Sequence, residues 1–474
     1  MYHCQAVPKR KPQGAGIVTE TLKLAEFTVG LELRRCPPEA VAQAKRCLLD
    51  TLGCSLGGAR TPLLEAALSS VRRQGEGGCA TVLGRRLSVA PDRAAFLNGM
   101  SANALDFDGG IVRQGHYGPT VVSTAVAVGE LVRASGDRIL SAVIAGYEVV
   151  ARAGLALRAS PERRRLVSGY GPWQGFGAVA AAGHLLGLST ERMVHAFGIY
   201  GAFAPVPSTK GCNWDDRPLS WTKDMVAWPS MSGINAALLA DSGFLGPRAI
   251  FEGERGFFRM AGSDRYDPVA LTDGLGSRFR IQELYFKPYP CCRWIHAALE
   301  GVERLLEERG WNDSDVADVQ VGVAREALED LADPTPTNLV DAQFSLPYGV
   351  AMVLLGRTPG PRWHDPGLPA APQVRHLMTK VALHADPGLD ALFEERSIVG
   401  AAVRITGNDG HQACVRVEST YGDAAKPMSD ADLESKFRRL AAESIASERA
   451  EAAIGLIRDL ETLDGVTRLT ALLQ

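Results

Sequence analysis

From Pro38 onward the chain repeats one spacing. Val41, Ala44, Leu48, Leu49 and Leu52 fall three and four residues apart, which lines one face of a helix with apolar side chains. The pattern starts that helix at Pro38, and Gly53 is expected to stop it. The same spacing recurs over 94–105, 124–134, 140–155 and 175–186, and small residues crowd 232–240. Alanine and glycine on facing helices let their axes close up, so residues 20–280 are expected to form tightly packed helices.

After residue 280 the period changes. Residues 316–324, 401–406 and 413–419 alternate apolar and polar positions, as half-buried strands do. Asn408–Asp409–Gly410 separates the last two and predicts a hairpin. Helical spacing is interleaved at 292–308 and 341–355. From Ser429 the pattern is helical again, with the serine as N-cap and acids in the first turn. The expected fold is therefore mainly α: a large all-helical domain plus a smaller α+β lid domain. Residues 1–19 form a tail, 20–280 with 421–474 the helical domain, and 281–420 the lid.

Composition narrows the function classes. With 474 residues and 46% hydrophobic side chains, the chain has room for two or three globular domains. A net charge of −3 gives no basic surface for nucleic acid, and the cluster Lys9–Arg10–Lys11 sits in the tail. No apolar run long enough to span a membrane is seen, nor a signal peptide's apolar core near the N-terminus. Nine scattered cysteines show neither CxxC spacing nor a zinc pattern, which suits a reducing cytoplasm. GxGxxG, GxxxxGK[ST] and HExxH are all missing. GCSLG at 53–57 matches GxSxG, but a helix rather than a strand is expected before its serine.

Four stretches carry candidate chemistry. In NALDFDGGIVRQGHYGPT (103–120), His116 sits in a glycine-rich loop, and Asp106 could fix its tautomer; a solvated turn is the alternative. In YFKPYPCCRWIH (285–296), two prolines force an extended segment before a helix start. Lys287, Arg293 and His296 then form a compact cationic set suited to a carboxylate or phosphate, or else a solvated basic turn. Lys223 lies among Trp221 and Trp228, where it either snorkels along the rings or reaches a buried anion. Tyr348, in FSLPYGVAM (344–352), either faces a cleft or packs in a core. Together these residues suggest acid–base chemistry on a small anion, with no metal or organic cofactor expected.

Several fragments, in order, carry a resemblance: LLDTLGCSLGG (48–58), AAFLNGMSANALDFD (94–108), AGYEVVAR (145–152), AALLADSGFLGPRAIFEGERGF (236–257), KPYPCCRWIH (287–296), FSLPYGVAM (344–352) and KPMSDADLESKF (426–437). The chain resembles the MmgE/PrpD family over residues 20–450. The family's members include a dehydratase, a decarboxylase and an epimerase of small carboxylic acids. The resemblance implies a helical domain with an α+β lid, a site between the two, a homodimer, no required cofactor, and a small di- or tricarboxylate as substrate. It also implies that Asp106, His116, Lys223 and Tyr348 are catalytic, and that Lys287, Arg293 and His296 bind substrate.

Two departures stand out. The family commonly reads DFDDT where this chain reads DFDGG, so Gly109 and Gly110 replace an acid and a hydroxyl. Ungapped counting also puts Ser168 where the family often has a histidine, with Tyr170, Trp173 and Gln174 close by. The expected function is a dehydratase-like lyase that removes a proton next to a carboxylate. An isomerase or epimerase, or a decarboxylase, would use the same carbanion step. A catalytically silent ligand-binding member is the alternative of another class.

Overall fold

The computed structural model describes residues 19–168, 171–205, 208–209, 215, 217–222 and 226–474. Close helix packing organises the larger part. Helix Pro38–Gly58 runs five residues past the glycine expected to stop it. The reason is steric. A Cβ on Gly53 would lie 3.0 Å from the Phe437 ring, one on Gly57 2.4 Å from Leu440, and one on Gly58 1.9 Å from the Ser101 carbonyl oxygen. These glycines admit helices Asp430–Ala441 and Pro91–Asn103 against the same helix. They are contact points, and GCSLG lies inside the helix rather than at a strand-to-helix elbow.

Helix Gly136–Ala156 packs between Tyr117–Leu131 and Gly171–Leu186. Among the described residues it alone is long and apolar enough to cross a membrane, and 94% of its most apolar window is buried inside the protein. Helix Ala227–Asp241 closes the bundle against Gly171–Leu186 and Pro91–Asn103. The predicted helices are all present, most of them extended by a few residues at one end. The stretch 341–355 is split instead into Leu339–Gln343 and Leu346–Leu354. Ser345 makes the break, capping the second helix with its side chain on the Tyr348 amide.

A second core surrounds a four-stranded sheet in the order Gln412–Val417, Ala401–Gly407, Val316–Val323, Val381–Ala385. The first two strands form the predicted hairpin, and Gly410 takes φ 81° in its turn. The last pair is parallel. Helix His296–Arg309 packs on the hairpin and against Leu346–Leu354. Phe279, Ile281, Leu284 and Phe286 belong to the large helical core, whereas residues from Tyr289 to Val417 build the second. Helix Asp430–Ala441 opens with a capping box between Ser429 and Asp432, and its Leu433 and Phe437 return to the large core. The fold is thus mainly α with two domains. The chain passes from one core to the other through residues 286–289, the segment that holds Lys287.

Gly58 and Gly455 should respond oppositely to alanine. Gly58→Ala drives a Cβ into a backbone oxygen and is expected to cost ~1–3 kcal/mol or more. Gly455, in helix Ser447–Arg458, has open space around it, so Gly455→Ala should stabilise by ~0.4–1 kcal/mol. Denaturant unfolding of the two variants checks both signs.

Candidate active site

The loop after helix Pro91–Asn103 turns sharply at Asp106, which takes φ 49°. Aspartate tolerates this left-handed conformation better than most residues. The turn sends the two aspartates of DFD to different partners. Asp108 accepts from Asn103 Nδ2 at 2.9 Å on Oδ1 and meets His116 Nδ1 at 2.8 Å on Oδ2. Asp106 accepts Lys287 Nζ twice, on its backbone oxygen and on Oδ2, both at 2.8 Å. Its Oδ1 lies 4.0 Å from His116 Nε2. Asp108, not Asp106, therefore orients the histidine, and this corrects the role given to Asp106 from sequence.

The electrostatics follow from burial. Asp108, Asp106 and Lys287 are all buried. Burial pushes the Asp108 carboxyl up, but His116 and Lys287 outweigh it and hold it below the ordinary value. An ionised Asp108 requires the His116 proton on Nδ1, which makes Nε2 the nitrogen that carries the lone pair. Burial likewise works against the Lys287 ammonium, and the neighbouring Asp106 and Asp108 overcome it, so its pKa is raised. Asp106, Asp108 and His116 each bring one potential ligand atom within 4.8 Å of the others, a spacing a metal ion could use. A divalent cation there would have to share Asp106 with the Lys287 ammonium.

Asp106 and His116 line a cavity of about 560 Å³ between the two cores, a usual size for a small-molecule site. Trp173, Tyr285, Cys292 and Arg293 line it as well. Trp173 is fixed by a bond from Nε1 to the Gln114 carbonyl at 2.9 Å. Arg293 is buried and anchored through Nη2 on Thr420 and Asp423, while its Nη1 has no hydrogen-bond partner. At the mouth, Arg164 bonds Glu394 at 2.8 Å and Glu326 at 3.3 Å, and Arg113 reaches Glu394 at 3.5 Å. These ion pairs join the helical domain to the lid over the cavity.

The other expected site residues divide. Lys287 does not line the cavity; it stands behind Asp106 and fixes it, so direct substrate binding is replaced by positioning. His296 is fully buried, with Nε2 on the Cys291 carbonyl at 3.1 Å and Tyr289 edge-on at 5.2 Å. Burial first, then Arg293 and Lys287, push its pKa well below 6.5, so it is a neutral core imidazole away from the cavity. The cause is local: Arg293–Ile295 forms a 3-10 turn at the cavity, and His296 begins the core helix behind it. Tyr348 is also inside the second core, its hydroxyl donating to the Trp363 carbonyl, so it does not face the cleft. Lys223 and Tyr170 lie outside the described residues, as does the side chain of Ser168. Gln174 is buried and does not line the cavity.

Sequence reasoning missed Asp108 and Tyr285. Both had a faint signal. Asp108 is the second acid of DFD, and Tyr285 stands two residues before Lys287 in an extended segment, hence on the same side of the chain.

A buried acid supports this arrangement from below. Glu148 Oε1 accepts the Ile281 amide at 3.0 Å, and Oε2 lies 3.5 Å from Arg152. It thereby holds the turn that leads to Tyr285. Burial, only partly offset by Arg152, pushes its pKa up to about 7. A raised folded value means a stability contribution that is full below the ordinary 4.5 and lost as pH rises through about 7. The thermal midpoint of the wild type should fall across that window more than that of Glu148→Gln. Parallel pH profiles for the two proteins would refute this.

Comparison with known proteins agrees with the architecture. The MmgE/PrpD N-terminal domain model matches residues 22–268, and the MmgE/PrpD C-terminal domain model matches 289–462. The chain is similar to cis-aconitate decarboxylase of Homo sapiens, 28% identical over 94% of this chain and 92% of that protein. It is 25% identical to cis-aconitate decarboxylase of Aspergillus terreus, over 96% of this chain and 95% of that protein. With 2-methylcitrate dehydratase of Salmonella typhimurium it shares 24% identity over 86% of each.

Proposed function

Because this chain belongs to the MmgE/PrpD family and is an enzyme of its dehydratase and decarboxylase type, we propose that it is a lyase that removes a proton next to a carboxylate of a small di- or tricarboxylic acid. Dehydration is the reading we favour. The observation that carries it is the His116–Asp108 pair at the cavity wall, with Nε2 as the basic nitrogen.

The steps follow from the surrounding charges. A substrate carboxylate pairs with Arg293 at the cavity wall. Lys223, carried from the family pattern, is a second candidate for that carboxylate. His116 Nε2 takes the proton from the adjacent carbon. The imidazolium so formed lies between Asp108 at 2.8 Å and Asp106 at 4.0 Å, so its charge is stabilised as it appears. Lys287 holds Asp106 in place. The electron pair left on carbon then expels a hydroxyl one carbon away.

Decarboxylation is the second reading, supported by the names of the Homo sapiens and Aspergillus terreus relatives. In that reaction carbon dioxide leaves first and a protonated His116 returns the proton to carbon. Epimerisation would use the same base without a leaving group. We also propose a homodimer, for which the exposed Phe203, Phe244 and Leu245 supply apolar contact surface.

Incubating hydroxylated and unsaturated di- and tricarboxylates in D₂O, followed by NMR, tests the assignment. Elimination of water with deuterium exchange at the neighbouring carbon is expected; release of carbon dioxide would move the assignment to the second reading, and exchange alone to epimerisation. His116→Ala should lower kcat by ~10²–10⁴ and abolish exchange. Wild-type turnover in that variant would sink the mechanism.

A further inference from the structure

Tyr285 is the polar group in the cavity that the mechanism above leaves unused. It is buried, only 5% exposed, yet it lines the cavity beside Asp106, His116 and Arg293. Its ring is held on two sides. The backbone forms a bridge with Gly110, Tyr285 N to Gly110 O at 3.0 Å and Gly110 N to Tyr285 O at 3.2 Å. The Arg293 guanidinium lies 5.4 Å from the ring centre. Its hydroxyl, in contrast, has no hydrogen-bond partner among the described residues. A phenol whose ring is held this firmly, with its hydroxyl open to a cavity and unbonded there, points to a ligand oxygen.

Gly110 sharpens the point. A Cβ at this position would meet the Gly115 carbonyl oxygen at 2.3 Å and the Tyr285 hydroxyl at 3.0 Å. No side chain fits there, and the hydroxyl of Tyr285 reaches the space where one would begin. The glycine that replaces a hydroxyl residue of the family pattern is thus matched by a hydroxyl arriving from the neighbouring extended segment.

We propose that Tyr285 is a catalytic acid of this cavity: its hydroxyl bonds the substrate hydroxyl that leaves and supplies its proton. The inference rests on the dehydratase reading. In the balanced step, His116 Nε2 takes the carbon-bound proton and the C–H pair becomes the new C=C bond. The C–O bond breaks, and its oxygen leaves as water with the Tyr285 proton. The proton on His116 returns to the phenolate through solvent. Burial, with Asp106 and Asp108 nearby, raises the phenol well above its ordinary value, so it is protonated at the start of each turnover.

Tyr285→Phe tests this, because it removes one oxygen that bonds nothing among the described residues. Its thermal midpoint should equal that of the wild type, whereas a structural hydroxyl would lower it. Elimination should fall ~100-fold while deuterium exchange at carbon continues. An activity-independent readout uses pairs of acids differing by one hydroxyl, citrate against tricarballylate and malate against succinate, in calorimetry. The wild type should favour the hydroxylated member of at least one pair by about 3- to 10-fold, and the variant should lose that preference. Unchanged elimination in Tyr285→Phe, or equal binding of both members of each pair by the wild type, overturns the role of Tyr285 and leaves the dehydratase reading intact. Parallel loss of exchange and elimination overturns the acid role as well. A wild type that eliminates water from no hydroxy acid sinks the dehydratase reading, and the acid role with it.

Discussion

One buried ammonium holds the site together. Lys436 Nζ donates to Asp50 Oδ1 at 2.6 Å, to the Phe107 carbonyl at 2.5 Å and to the Lys287 carbonyl at 3.0 Å. All three of its protons have acceptors, the condition under which a buried charge is tolerated. The other oxygen of Asp50 accepts the Gly109 amide at 3.0 Å. Four segments meet here: helix Pro38–Gly58, the DFDG loop, the crossover segment 286–289 and helix Asp430–Ala441. The loop that carries Asp106 and Asp108 and the segment that carries Lys287 are pinned to the same atom. Their separation, and with it the Lys287–Asp106 contact, follows from that pin. The glycines of helix Pro38–Gly58 serve the same end, since they let helix Asp430–Ala441 come close enough for Lys436 to reach.

A chain of alternating charge runs outward from that pin. Asp50 and Lys436 pair at the bottom, Lys287 and Asp106 above them, then His116 and Asp108 at the cavity wall. Each lysine is fully enclosed and each neutralises a carboxylate that would otherwise be costly to bury. The outcome at the cavity is asymmetric. Asp106 has its charge shared with an ammonium, while Asp108 has only an amide and an imidazole. Asp108 is therefore the stronger partner for a proton arriving on His116, and Asp106 the more rigid wall.

Hydropathy made the architecture legible because burial imposes a period. The helix spacing, the alternation at 316–324 and the turn at Asn408–Gly410 each report one element facing one core. The same signal cannot separate a core from a cavity, since both lie on the inner face. Hence Tyr348 and His296, expected at the site, end in or against the second core, and Tyr285 ends at the cavity. Gly53 misled for a related reason: a glycine inside a helix is a stop signal in sequence and a contact point in packing. Charge partners were out of reach. Lys287 and Asp106 are 181 positions apart, and Lys436 and Asp50 386. The family order brought Lys287 and Asp106 onto one list without saying that they touch.

The DFDGG departure takes its physical meaning from the extended segment beside it. A Cβ at Gly109 would strike the Tyr285 carbonyl oxygen at 2.4 Å, and one at Gly110 the Gly115 oxygen at 2.3 Å. A side chain at Gly110 would force the loop itself apart, and one at Gly109 would push the crossover segment away from the loop. That displacement would move Lys287, two residues further along, off Asp106, and would carry the Tyr285 ring with it. The glycine pair is thus a condition for this particular contact between loop and crossover segment, and the acid and hydroxyl of the family pattern cannot be restored here without rebuilding that contact. The change at 109–110 and the tyrosine at 285 form one structural unit, in which the backbone gives up two side chains and the neighbouring segment returns one hydroxyl to the cavity.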